Sequence, residues 1–188
     1  NVLLILKKSN IATVFAHESS ANQPNDLAIS PAGLLFASDP NWKEGTGKLW
    51  RIERNRFVLL EENMGTTNGI EVSSDGKLLY VNESVSRTIW TYSLDKKGRI
   101  SDKKMFYRFT DFGMDGMRCD IKGNLYVCRH GAGKVVVINP QGGLIKTITL
   151  KGTNPTNITF GGKNNKQCFV TLADRGCIET FTADFPGR

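Results

Sequence analysis

Asn68-Gly-Ile-Glu-Val-Ser-Ser-Asp-Gly-Lys-Leu-Leu-Tyr-Val-Asn-Glu-Ser84 runs as a short apolar stretch, a glycine turn, and a second apolar stretch that closes on polar residues. Period-two alternation, β-branched and aromatic enrichment, and Gly, Asn or Asp at the joints mark paired strands. The same plan recurs in Asn25-Asp-Leu-Ala-Ile-Ser-Pro-Ala-Gly-Leu-Leu-Phe-Ala-Ser-Asp39, in Asp115-Gly-Met-Arg-Cys-Asp-Ile-Lys-Gly-Asn-Leu-Tyr-Val-Cys-Arg-His130, and over 156–174. In register, Asn25, Asn68, Asp115 and Thr156 stand 43, 47 and 41 residues apart, and the turn glycines Gly33, Gly76 and Gly123 repeat at 43 and 47.

Each unit carries a third strand-like stretch, at 48–52, 88–94, 134–140 and 177–183. The first three add a fourth, at 57–63, 104–109 and 144–150. No sustained apolar stripe of helical period occurs. A four-stranded unit repeating every 40-odd residues is the pattern of a β-propeller blade. The fold class is therefore all-β, a β-propeller. Residues 1–8 and 11–19 read as the last two strands of an earlier blade, which brings the count to about four and a quarter blades. The expected organisation is one propeller domain over 1–188, incomplete at its N-terminus, with repeats beginning near 25, 68, 115 and 156. Open propeller edges leave backbone groups unpaired and invite self-association.

Composition narrows the function classes. The chain has 188 residues, 39% hydrophobic and 23% charged, with a formal charge of +7. Its lysines and arginines are scattered through turns with no aromatic-interleaved stripe, which is a solvated surface and not a nucleic-acid face. No apolar run approaches the roughly 20 residues of a membrane helix, so no membrane partner is expected. Cys119, Cys128, Cys168 and Cys177 lack metal-like spacing and sit in apolar strand segments, as four buried thiols. Reduced cysteines favour a cytoplasmic location.

In a propeller blade the first strand lines the central channel and the second returns to the face where the first began. Strand-one starts and strand-two ends of all repeats therefore gather at one channel mouth. The starts are Asn25-Asp26, Asn68, Asp115 and Thr156-Asn157. The ends are Ser38-Asp39, Asn82-Glu83, Arg129-His130 and Asp174-Arg175. These are mostly oxygen donors, a set suited to a hard cation such as Ca²⁺ or Mg²⁺. Asn or Asp at a strand start can equally satisfy turn backbone; Asn68 and Asp115 at equivalent places in adjacent repeats point to a shared site. His130 reads as a pocket-wall or surface histidine.

The combination Asn25-Asp-Leu with Ser38-Asp39-Pro, Asn68-Gly-Ile with Asp75-Gly-Lys-Leu-Leu-Tyr-Val-Asn-Glu-Ser, Met114-Asp-Gly-Met with Gly123-Asn-Leu-Tyr-Val, and Phe160-Gly-Gly resembles the gluconolactonase/regucalcin (senescence marker protein) family. The match holds in order and at matching separations from about Asn25 onward, and the closing Phe185-Pro-Gly-Arg resembles the tail of bacterial-type members. The resemblance implies a six-bladed propeller with one divalent cation at the channel mouth, Ca²⁺ first, with Mg²⁺, Zn²⁺ or Mn²⁺ as alternatives. It places the metal-binding Asn and Asp on Asn68 and Asp115, and a substrate-contacting Asn on Asn25. An Arg that precedes that Asn in some members is Gln23 here. The family's third metal ligand, a Glu of the first blade, has no counterpart and would lie N-terminal of Asn1. The implied activity is metal-dependent opening of sugar-acid lactones, the cation polarising the carbonyl and Asp115 assisting water attack. Glu83, Arg129 and His130 are then substrate-contact candidates. The alternatives are a related propeller esterase or phosphotriesterase, and a non-catalytic propeller that binds a ligand or protein through the same mouth.

Overall fold

A computed structural model of the chain describes residues 2–5 and 12–188. Every helix or strand among the described residues is a strand, and the strands form five antiparallel sheets in sequence order. β1 (Val2–Ile5) and β2 (Ala12–Ala16) pair as a ribbon. β3 (Leu27–Ile29), β4 (Leu35–Asn41), β5 (Thr46–Glu53) and β6 (Arg56–Met64) make the first four-stranded blade. β7 (Thr67–Val72), β8 (Leu78–Glu83), β9 (Thr88–Leu94) and β10 (Ile100–Arg108) make the second. β11 (Met117–Cys119), β12 (Leu125–Arg129), β13 (Lys134–Ile138) and β14 (Leu144–Thr149) make the third. β15 (Pro155–Gly161), β16 (Gln167–Leu172) and β17 (Cys177–Thr182) form a three-stranded last sheet. The arrangement is a β-propeller. The expected N-terminal strands over 1–8 and 11–19 are matched by β1 and β2; residues 1 and 6–11 lie outside the described residues.

The first strands β3, β7, β11 and β15 touch one another in turn and line the propeller axis. The core lies between the blades. Ala28, Phe36 and Leu49 of the first blade pack on Ile70, Val72 and Leu79 of the second. Tyr80 and Ile89 of the second blade meet Met117, Leu125 and Val127 of the third. Tyr126, Cys128 and Val137 of the third meet Ile158, Cys168 and Val170 of the last. A middle strand is thus covered on both faces, which is why β12 reads Leu-Tyr-Val-Cys-Arg without a polar face and is buried throughout. The outermost strands β10 and β14 are largely exposed. Cys119, Cys128 and Cys168 are buried thiols; Cys177, expected to be buried, is half-buried because it opens the edge strand β17.

The turn glycines serve one geometry. Gly76, at φ 73°, occupies the left-handed region in the turn between β7 and β8. Its N–H donates to the Ser73 carbonyl at 2.9 Å, and Ser73 Oγ accepts the Leu78 N–H at 2.9 Å. The turns at Gly33 and Gly123 close the same way onto Ser30 and Asp120. These turns stand at the end of the channel opposite the strand-one starts.

Candidate functional site

Asn68 and Asp115 meet at the mouth of the channel. Asn68 is the second residue of β7, the inner strand of the second blade, and is buried. Its Nδ2 donates to the Met114 carbonyl at 3.3 Å, which ties it to the residue preceding Asp115. Its Oδ1 is buried with no hydrogen-bond partner. An orphaned buried acceptor is uncommon and costs about 1–3 kcal/mol.

Asp115 is held through its backbone. Asn82 Nδ2 donates to the Asp115 carbonyl at 2.7 Å, and Ser84 Oγ donates to the Met114 carbonyl at 2.6 Å. The end of β8 thus grips the start of the next blade's inner strand. This approach needs glycine: a Cβ on Gly69 would run into the Asp115 carbonyl and lie 2.6 Å from Asn82 Nδ2. A Cβ on Gly116 would likewise run into Asn157, there chiefly its side-chain amide. The Asn-Gly and Asp-Gly pairs that open β7 and β11 are therefore a packing requirement around the axis.

Burial first, and then the negative charge of Asp26, raise the Asp115 pKa from 3.8 to about 7, against hydrogen bonding from Asn68 and the Gly116 N–H. Asp26 is the neighbour that the repeat reading left without a role. It is buried beside an exposed Asn25; its Oδ2 accepts the Ile70 N–H at 3.3 Å, and Arg118 Nη1 lies 3.6 Å away. The sequence placed Asn25-Asp26 at the mouth, but β3 begins only at Leu27, so alternation could not say which of the two turns inward.

The strand-two ends share a different task. Asp39 accepts the N–H groups of Asn22 and Gln23 at 3.0 and 2.6 Å, Glu83 accepts the Gly65 N–H at 3.0 Å, and Asp174 accepts those of Thr153 and Asn154 at 2.7 and 3.0 Å. Arg129 does the converse, donating to the Asp111 and Gly113 carbonyls at 2.5 and 3.3 Å while stacking 3.5 Å from the Phe109 ring. Each clamps the segment leading into the inner strand of its own blade. Glu83 and Arg129, expected as substrate contacts, are buried and committed to these loops; Glu83 also accepts the Ser86 hydroxyl at 2.8 Å. His130 and Asn25 are exposed on the mouth face.

The pair offers a hard cation two oxygen donors. Asn68 Oδ1 is an acceptor without a donor, and Asp115 is a carboxylate whose charge is opposed by burial and by Asp26. Both are oxygen donors of the kind a hard cation takes, which binds about six to eight oxygens in all. Among the described residues no three His, Cys, Asp or Glu side chains converge as a metal cluster.

Fold and site define a β-propeller with a polar mouth at one end of its axis. The chain belongs to the SMP-30/Gluconolactonase/LRE-like region family, whose model matches residues 2–174. Regucalcin of Bos taurus is 28% identical over 171 residues, covering 85% of this chain and 57% of the bovine protein. The chain therefore spans little more than half the length of that relative. A calcium-binding regucalcin from Agrobacterium tumefaciens superposes with a TM-score of 0.88 at 22% identity, over 99% of this chain and 70% of its own. A gluconolactonase from Xanthomonas campestris superposes with a TM-score of 0.77 at 21% identity, over 97% and 64%. At these identities the two structures speak for the fold alone.

Proposed function

We propose that this chain carries most of the site of a metal-dependent hydrolase that opens sugar-acid lactones. The observation that carries the reading is the pairing of the orphaned Asn68 Oδ1 with the buried Asp115 carboxylate on the axis of a propeller of this family. Asn68 and Asp115 are the residues that would hold the cation, Ca²⁺ first. When bound, such an ion supplies Lewis-acid polarisation of a carbonyl and electrostatic stabilisation of a developing oxyanion.

The chain's own residues do the rest. Asp115 takes a proton from the attacking water as its oxygen adds to the lactone carbonyl carbon. The proton returns to the ring oxygen as the ring C–O bond breaks, leaving a hydroxy acid. Burial and Asp26 raise the proton affinity of the Asp115 carboxylate, and a bound cation would lower it; the balance of the two would set its strength as a base. Asn25 and His130 carry exposed side chains on the mouth face and would orient the substrate hydroxyls. Glu83 and Arg129 would act on the substrate through the loops they clamp.

A pH-stat panel of sugar-acid lactones, carboxylic esters and phosphotriesters, run with added Ca²⁺ and again with chelator, tests the proposal. Acid release from lactones that needs the ion supports it. Turnover of triesters with lactones untouched moves the substrate class, and no turnover of any class leaves a binding propeller.

A further inference from the structure

Below the Asn68–Asp115 pair the channel holds a file of alternating charges. Asp26 Oδ2 lies 3.6 Å from Arg118 Nη1, and the same Nη1 lies 3.8 Å from Glu71 Oε2. Glu71 Oε1 in turn accepts a hydrogen bond from Arg188 Nη2 at 3.2 Å. Arg118 also donates to the Met117 carbonyl at 2.6 Å, which pins its guanidinium to its own strand. Glu71, Arg118, Cys119, Thr159, Phe160 and Arg188 line a cavity of about 210 Å³ here. Glu71 lies on β7 and Arg118 on β11, the inner strands at whose starts Asn68 and Asp115 stand, each three residues further along the chain.

The file leaves Asp26 divided between two pulls. Its carboxylate is buried against the Ile70 N–H, two residues along β7 from Asn68, yet its Oδ2 also faces Arg118. A mouth with both carboxylates turned to one cation would bind it more strongly than a mouth with one of them neutralised from below.

We propose that Arg118 is a positioning residue for the cation pair: as the counter-ion of Asp26, it holds that carboxylate down the channel and so limits how tightly Asn68 and Asp115 take a divalent ion. This rests on the reading of the mouth as a cation site. It separates from a merely structural role by sign. If Arg118 only completes a buried ion pair, its loss weakens the fold and the site together. If it restrains Asp26, its loss weakens the fold and tightens the site.

Calorimetric titration of the full chain with Ca²⁺ alone decides this. Arg118→Met is expected to bind Ca²⁺ about tenfold more tightly than wild type, the order expected when one nearby positive charge is removed. Arg118→Gln, which keeps a donor for the Met117 carbonyl, shows the same sign, and Arg118→Lys stays near wild type. In an Asp26→Asn background Arg118→Met changes the affinity by less than about threefold, because the restrained charge is gone. Wild-type binding with Arg118→Met and Arg118→Gln equal or weaker overturns this inference alone. Failure of both variants to fold assigns Arg118 a structural role and also overturns it. No Ca²⁺ binding by wild type overturns the cation-site reading beneath it.

Discussion

At the scale of single residues, the mouth divides into groups that are free and groups that are spent. Asn68 Oδ1 has no partner, whereas Glu83 accepts from both the Gly65 N–H and the Ser86 hydroxyl. Replacing Glu83 with alanine leaves the Gly65 donor without its acceptor and is expected to cost about 1–3 kcal/mol. In a chain of this size that lowers the thermal midpoint by roughly 3–10 °C, which differential scanning calorimetry measures; an unchanged midpoint would free Glu83 from the clamp. The repeat register brought Asn68 and Asp115 to one mouth from the sequence because both begin inner strands at equivalent places. It could not separate Glu83 and Arg129 from them. Strand ends at the same mouth look alike in sequence whether their side chains point to the axis or back to a loop. The sequence brought Asn82 to the mouth but not the bonds that it and Ser84 make, because their partners are backbone carbonyls of another blade, which no sequence pattern displays.

At the scale of elements, the strand boundaries were legible because period-two alternation and turn glycines agree in every repeat. What escaped was the approach of one inner strand to the next. Gly69 is not in the left-handed region, so it signals no turn; it is glycine because the Asp115 carbonyl occupies the space of a side chain. Gly69→Ala is expected to lose about 1–3 kcal/mol and to shift Asp115 away from Asn68. Urea unfolding gives the first effect, and a weakened Ca²⁺ titration gives the second. A wild-type response in both would mean that the inner strands yield without disturbing the mouth. Gly187 shows the same logic in the closing segment, where a Cβ would collide with Phe160 while Gly187 bridges to Asp120.

For the whole molecule, the blades share one axis, and its charge file couples stability to pH. Burial raises Glu71 from 4.5 to about 6 despite Arg188 and Arg118. A folded-state value above the unfolded one means that the fold holds this proton more tightly. The associated stability is complete below about pH 4.5 and is lost as pH rises through about 6. Glu71→Gln should therefore gain on wild type by up to about 2 kcal/mol across that interval, read from urea midpoints on either side of it; a pH-independent difference would contradict the assignment. The propeller itself was legible from the repeat length and the four-strand plan inside each repeat. The axial chemistry was not, because it depends on which side chains of separate blades converge on the axis. The measurement that bears most directly on the account is Ca²⁺-dependent acid release from gluconolactone by wild type, Asp115→Ala and Asn68→Ala, with circular dichroism confirming that each is folded. The account predicts that Asp115→Ala lowers the enzymatic rate at least about a hundredfold and that Asn68→Ala raises the Ca²⁺ concentration required. Full activity in a folded Asp115→Ala protein would contradict it.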